Sequence, residues 1–133
     1  MAGAEPVAHS PEDLLRLIEE RLNAGDADGV AALYEQDAIL VADPEKIVEG
    51  RAAILEGLRN FLAIKPRMVL NASRIVRNGN LAIVYQDWTI SGTRPGGSIF
   101  SVDVRPTVVV RAQSDGSWRV AIDDPSVDEA PEG

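Results

Sequence analysis

The chain contains no cysteine, which removes disulfides, a thiol nucleophile and thiolate metal ligands together. It has one histidine, His9, in a segment without periodic pattern, so a histidine-dependent triad and a multi-histidine metal centre are both excluded within one chain. Long apolar runs are missing as well. No segment approaches the roughly 18 apolar residues that span a bilayer, and Met1 to Ser10 has no basic region leading into an apolar run. The expectation is a cytoplasmic protein with no membrane partner and no cofactor or metal. Positive charge is in deficit: 13 Lys and Arg against 21 Asp and Glu give a net charge of -8. A polyanion would be repelled, which argues against nucleic acid.

What is present suits one ordinary globular domain: 133 residues, 45% of them hydrophobic, enough to bury a core. Residues 1–9 read as a flexible tail, 10–125 as the domain, and 126–133 as an acidic tail. Ser10-Pro11-Glu12-Asp13 is a helix start, with a capping hydroxyl, a proline suited to the first turn and two acids for the positive end of the helix dipole. Leu14, Leu17, Ile18 and Leu22 follow at helical spacing, and Arg16, Glu19, Glu20 and Arg21 occupy the opposite face. Asn23-Ala24-Gly25 ends that helix. Asp26 caps a short second helix ending near Tyr34, on which Val30, Leu33 and Tyr34 share a face. A buried Tyr34 hydroxyl needs a partner, from Asp43 or a backbone carbonyl.

Ala38 to Val41 reads as a short strand followed by a loop at Pro44-Glu45-Lys46. Arg51 to Ile64 reads as a third helix, with Ile54, Leu55, Leu58, Phe61 and Leu62 on one stripe, stopped by Lys65-Pro66. The period then falls to about two. Four extended segments are predicted, near 67–77, 81–91, 100–112 and 118–123, separated by Asn78-Gly79-Asn80, Arg94-Pro95-Gly96-Gly97 and Ser114-Asp115-Gly116-Ser117. Pro106 marks an edge or bulge in the third. Trp118, Val120 and Ile122 alternate against Arg119 and Ala121 in the fourth.

The resulting expectation is an α+β fold: three N-terminal helices packed on a strongly curved, mainly antiparallel sheet, a cone with a central pocket. Leu81 to Tyr85 and Val108 to Val110 are apolar on both faces. The outer sheet face therefore predicts a homodimer, with deeper helix packing or a closed cone as the alternatives.

This order resembles that of the SnoaL-like, or nuclear-transport-factor-2-like (cystatin-like), superfamily. The resemblance rests on Gly25-Asp26, Ala32-Leu33-Tyr34, Asp37-Ala38, Pro44, Glu49-Gly50-Arg51-Ala52-Ala53-Ile54 and the closing Asp115-Gly116-Ser117-Trp118-Arg119-Val120, and it spans roughly Pro11 to Pro125. It implies a cavity between helices and sheet. It leaves activity open, because the superfamily holds isomerases, cyclases, epoxide hydrolases and non-catalytic association domains.

Asp43-Pro44 resembles the general-base Asp-Pro of ketosteroid isomerase, although one extra residue after Tyr34 puts Ala42 in that register. Ile18 and Val108 stand where that enzyme keeps its oxyanion donors. Asp103 and Arg105, two apart on one strand, face the same side. They read either as part of a carboxylate-guanidinium relay of the epoxide-hydrolase kind, with Asp43 and Asp123, or as a solvated salt bridge. Tyr34, Leu58, Phe61, Trp88 and Asp123 are the candidate ligand-binding residues. Trp88 offers an apolar wall and an N–H donor, and Asp123-Asp124 forms a weak cation signal.

Three functions are compatible with this sequence. One is binding of a small, mostly apolar organic molecule, with acid–base chemistry of the isomerase, cyclase or hydrolase type. A second is a non-catalytic dimeric association module. The third is an accessory role in a polyketide-type pathway.

Overall fold

The computed structural model describes residues 7–43 and 45–125. Helix α1 (Pro11–Asn23) starts as its residues dictate. Ser10 Oγ accepts from the Asp13 N–H at 3.0 Å, and Glu12 and Asp13 fill the first turn. Arg16, 2.6 Å from Asp13 by hydrogen bond, holds that carboxyl below its usual range. Leu14, Leu15, Leu17 and Leu22 are buried. Arg21 is buried too, against the expectation of a solvated face, because its guanidinium donates to the Gly29 carbonyl at 2.8 Å. Glu19 also leaves the solvated set, accepting from the Leu70 N–H at 3.0 Å.

Helix α2 (Ala27–Ala31) is capped by Asp26, whose Oδ1 accepts from Gly29 N–H at 2.8 Å. It ends three residues earlier than its apolar spacing predicts. Tyr34 instead opens strand β1 (Tyr34–Asp43). The segment expected as a loop forms strand β2 (Lys46–Glu49), paired antiparallel to β1 as a hairpin. Helix α3 (Arg51–Leu62) follows Gly50, which has φ 97 and ψ 145 and makes no side-chain cap. That conformation is nearly closed to residues with a Cβ, although no atom stands within 4 Å of where one would lie. Gly50→Ala should therefore lower stability by about 1–3 kcal/mol through backbone strain alone, measurable by urea unfolding.

The remaining strands are β3 (Arg67–Asn78), β4 (Leu81–Thr93), β5 (Ile99–Val104), β6 (Thr107–Ala112) and β7 (Trp118–Asp124). The sheet runs β2-β1-β7-β6-β4-β3, with β5 beside the far half of β4. β1 and β7 are parallel and every other pair is antiparallel, so the seven-stranded sheet is mixed. The long segment expected from 100 to 112 is two strands. It breaks at Arg105-Pro106 because a proline has no N–H for the ladder. Pro106 still contributes its carbonyl, which accepts from Gln86 N–H at 3.1 Å.

β3 is an edge strand. Asn23 closes part of that edge by donating to the Met68 carbonyl at 2.7 Å and accepting from Met68 N–H at 2.8 Å. These contacts fix α1 over one face of the sheet, where the side chains of α1, α2 and α3 meet the inner residues Val84, Trp88, Val108, Val110 and Val120 in one buried cluster. Of the expected tails, residues 1–6 and 126–133 lie outside the described residues. Ala8 is fully buried, and its carbonyl accepts from Trp118 N–H at 2.9 Å.

Candidate functional site

The helices and the inner sheet face leave a cavity of about 370 Å³ between them. Ile18 and Leu22 of α1 form part of its wall, with Ile54, Leu58 and Phe61 of α3 and Met68, Trp88 and Ile90 of the sheet. Helical spacing explains the α3 contribution: positions 54, 57, 58 and 61 share a face. Gly57 on that face is exposed and lines the cavity, so it sits at the mouth. Among the described residues, polar side chains on the wall are few, namely the Tyr34 hydroxyl, the Gln86 amide and the Asp123 carboxyl. No Lys or Arg lines it.

Asp123 reaches the cavity through a break in alternation. Val110 pairs with Val120 and Val109 with Ile122, so Ala121 is an extra residue in β7. Without that bulge Ile122 would follow Val120 inward. With it, Ile122 turns outward at 40% exposure and Asp123 turns toward the apolar wall.

The Tyr34 hydroxyl donates to Asp123 Oδ2 at 2.5 Å. Burial raises the Asp123 pKa to about 6; the Tyr34 hydrogen bond opposes that rise and the nearby Asp124 adds to it. Burial and the Asp123 charge push the Tyr34 hydroxyl well above its ordinary pKa of 10.0, so it stays a donor. Arg51 holds Tyr34 from behind, its Nε and Nη2 donating to the Tyr34 carbonyl at 3.1 and 2.6 Å. A carboxyl with a pKa of about 6, mostly ionised at neutral pH but readily protonated there, can in an apolar chamber accept a proton from a ligand and return it.

The other sequence candidates lie elsewhere. Asp43 is exposed at the tip of the β1–β2 hairpin, where its Oδ1 accepts from Glu45 N–H at 2.8 Å. It is not on the cavity wall, and its neighbour Pro44 lies outside the described residues. The partner of Tyr34 is thus Asp123 and not Asp43. Asp103 and Arg105 do not pair: Asp103 Oδ1 accepts from Thr89 Oγ1 at 2.8 Å, whereas Arg105 Nε stands 3.9 Å from Asp87 Oδ2 with 69% of its side chain exposed. Such a contact contributes little. Tyr34, Leu58, Phe61, Trp88 and Asp123 all line the one cavity. The Trp88 N–H is not offered to it, since it donates to Gln86 Oε1 at 2.7 Å. Gln86 is a site residue that the sequence motifs do not point to, although alternation places it beside Trp88 on the same strand face. Among the described residues, no group of three or more Asp, Glu or His is placed to hold a metal ion.

Residues 14–121 match the model of the SnoaL-like domain. The chain belongs to the SnoaL-like domain family. No curated protein matches this SnoaL-like chain in sequence. Its fold is shared by solved structures of low sequence identity. A ketosteroid isomerase-like protein from Erwinia carotovora atroseptica is 18% identical with a TM-score of 0.75, over 85% of this chain and 89% of that one. A nuclear transport factor 2-like superfamily protein from Salmonella enterica serovar Typhimurium is 18% identical, TM-score 0.75, over 91% and 92%. A nuclear-transport-factor-2-like protein with a cystatin-like fold from Novosphingobium aromaticivorans is 17% identical, TM-score 0.73, over 90% and 80%. At these identities the SnoaL-like chain shares their α+β fold, and its chemistry must be argued from its own residues.

Proposed function

We propose that the chain binds a small, uncharged, mostly apolar organic molecule in the cavity and exchanges a proton with it through Asp123. One observation carries this reading: among the described residues, an apolar chamber of about 370 Å³ is lined by a single carboxyl, raised to a pKa of about 6 and hydrogen-bonded by Tyr34. A charged ligand is disfavoured, since the wall offers an anion no cation and an apolar chamber desolvates a cation. Burial tunes the carboxyl to the pH range in which a general acid–base works best. Proton transfer of this kind needs no cofactor. It serves isomerisation, dehydration and cyclisation alike, so the reaction is set by the molecule that fits.

Binding is tested with the neutral dye N-phenyl-1-naphthylamine, whose fluorescence rises in apolar surroundings. The unsubstituted chain should bind it, and Asp43→Asn should bind it equally. Gly57→Phe should weaken binding at least about tenfold, because an aromatic ring would cover the mouth. Its backbone stays favourable: Gly57 is helical, no atom lies within 4 Å of where a Cβ would stand, and glycine is a poor helix former. Equal dye binding by Gly57→Phe and the unsubstituted chain would count against the cavity as the site.

A second reading, compatible with the first, is a homodimer through the outer sheet face. Register aligns Ile39, Ile122, Val109, Ile83 and Val76 in one apolar row across β1, β7, β6, β4 and β3. Val76, Ile83 and Ile122 are 38–45% exposed, and Tyr85 extends the patch beneath the Arg74 guanidinium. A second copy presenting the same row would cover it. Light scattering should give a dimer that Ile83→Lys turns into a monomer. A monomeric unsubstituted chain at micromolar concentration would rule this reading out.

A further inference from the structure

Strand β3 leaves part of its backbone without a partner. The Gln86 N–H donates to the Pro106 carbonyl, so the even-numbered residues of β4 bond toward β6 and the odd-numbered ones toward β3. Leu81, Ile83 and Tyr85 therefore bond Asn78, Val76 and Arg74, and the residues between these, Ser73, Ile75 and Arg77, turn their N–H and C=O groups outward. Near the start of the strand the outward groups are taken: Asn23 closes Met68, and Glu19 closes the Leu70 N–H. Nothing among the described residues bonds the outward groups of Ser73, Ile75 and Arg77. At a rise of about 3.4 Å per residue they span about 14 Å, room for a further strand of about five residues.

Charge along this edge is opposite to that of the molecule. In a chain of net charge -8, β3 carries Arg67, Arg74 and Arg77 and no acid, and Leu81 to Tyr85 beside it is uncharged. The Arg74 guanidinium carbon lies 5.7 Å from the centroid of the Tyr85 ring, and that of Arg77 lies 4.7 Å from the Trp118 ring. Neither arginine is ion-paired with a carboxylate among the described residues. Tyr85, opposite Arg74, is exposed, and Ala82, opposite Arg77, is buried. The two arginines thus flank the open edge from opposite faces of the sheet. A guanidinium resting on a ring keeps N–H groups for a carboxylate.

We infer that the β3 edge from Ser73 to Arg77 is a docking site for an extended acidic segment of another protein, added to the sheet as a further strand. Backbone groups supply the affinity and side chains the choice of partner. Arg74 and Arg77 are three residues apart on opposite faces, so the segment that fits carries two acids at that spacing. A β-branched residue between them covers Val76, which is 45% exposed. A second copy of the same edge is the poorer occupant, since it would bring its own arginines against these, and charge on an edge is a device that keeps like edges apart. The site lies in the plane of the sheet and does not involve the cavity.

Amide hydrogen exchange of the ¹⁵N-labelled chain tests this with three capped peptides at millimolar concentration. The first is Thr-Glu-Val-Thr-Glu-Thr, the second has Lys for both Glu, and the third, Thr-Glu-Pro-Pro-Glu-Thr, keeps the acids but lacks strand donors. In the free chain the amides of Ser73, Ile75 and Arg77 should exchange fast and those of Arg74 and Val76 slowly. The first peptide should slow the former set at least about threefold, and the other two should not. Ser73→Pro removes one outward donor at an edge, where proline is tolerated, and should abolish the protection of Ile75 and Arg77. Arg74→Gln/Arg77→Gln leaves the backbone intact and should weaken the first peptide about three- to tenfold. No protection by the first peptide, or equal protection by the lysine or proline peptide, would overturn the inference. So would protection in the free chain that rises with protein concentration, which would assign the edge to a second copy.

Discussion

Asp123→Asn should make the chain more stable at pH 7 than it is unsubstituted, and the advantage should shrink as the pH falls to 4. The folded carboxyl has a pKa of about 6 against 3.8 for the ordinary group, so between those values the folded state holds more protons than the unfolded one. Stability conferred by this group is therefore present below about 3.8 and is lost as the pH rises through 6. Asparagine keeps an oxygen for the Tyr34 hydroxyl but never ionises. The difference in unfolding free energy between variant and parent should grow by roughly 2–3 kcal/mol from pH 4 to pH 7, at about 1.36 kcal/mol per pKa unit. Urea unfolding at the two pH values measures it. The same substitution should abolish proton exchange with any bound ligand, since an amide cannot accept that proton. Gain of stability with loss of activity is the pattern of a group retained for chemistry at the expense of the fold.

Tyr34→Phe should act in the opposite sense. The Tyr34 hydroxyl donates to the carboxylate form of Asp123 and partly offsets the effect of burial on its pKa. Without it the carboxyl should titrate above 6, and the chain should lose about 1.5–3 kcal/mol at pH 7, the usual worth of a hydrogen bond to a charged group. At pH 4 the loss should be smaller, because the carboxyl is then protonated and its own O–H can find another acceptor. In Tyr34→Phe/Asp123→Asn the two effects should not add, since the groups are in direct contact. Equal losses for Tyr34→Phe at both pH values would show that its hydroxyl does not serve the ionised carboxyl.

Much of the fold can be read in the chain because local chemistry and tertiary structure agree. Ser10-Pro11 starts α1, Asn78-Gly79-Asn80 turns β3 into β4, and the stripe of Ile54, Leu58 and Phe61 faces inward as a helix of period 3.6 requires. What cannot be read is where periodicity is interrupted. The bulge at Ala121 has no residue signature, since alanine fits a regular strand equally well, yet it decides that Asp123 and not Ile122 faces the cavity. The hairpin that carries Asp43 away from the cavity is hidden for a similar reason. Lys46 to Glu49 is too short and too mixed to announce a strand before it pairs with β1. Arg21 reads as a surface residue until a carbonyl 8 positions away, that of Gly29, takes its guanidinium. Each is a tertiary contact overruling a local pattern.

One carboxyl in one cavity is central to the proposed function, and the most direct measurement is the ¹³C titration of the Asp123 side chain by NMR from pH 3 to pH 9. A midpoint near 6, moving upward in Tyr34→Phe and shifting again when N-phenyl-1-naphthylamine fills the cavity, is the predicted result. A midpoint near the ordinary 3.8, indifferent to both changes, would contradict it.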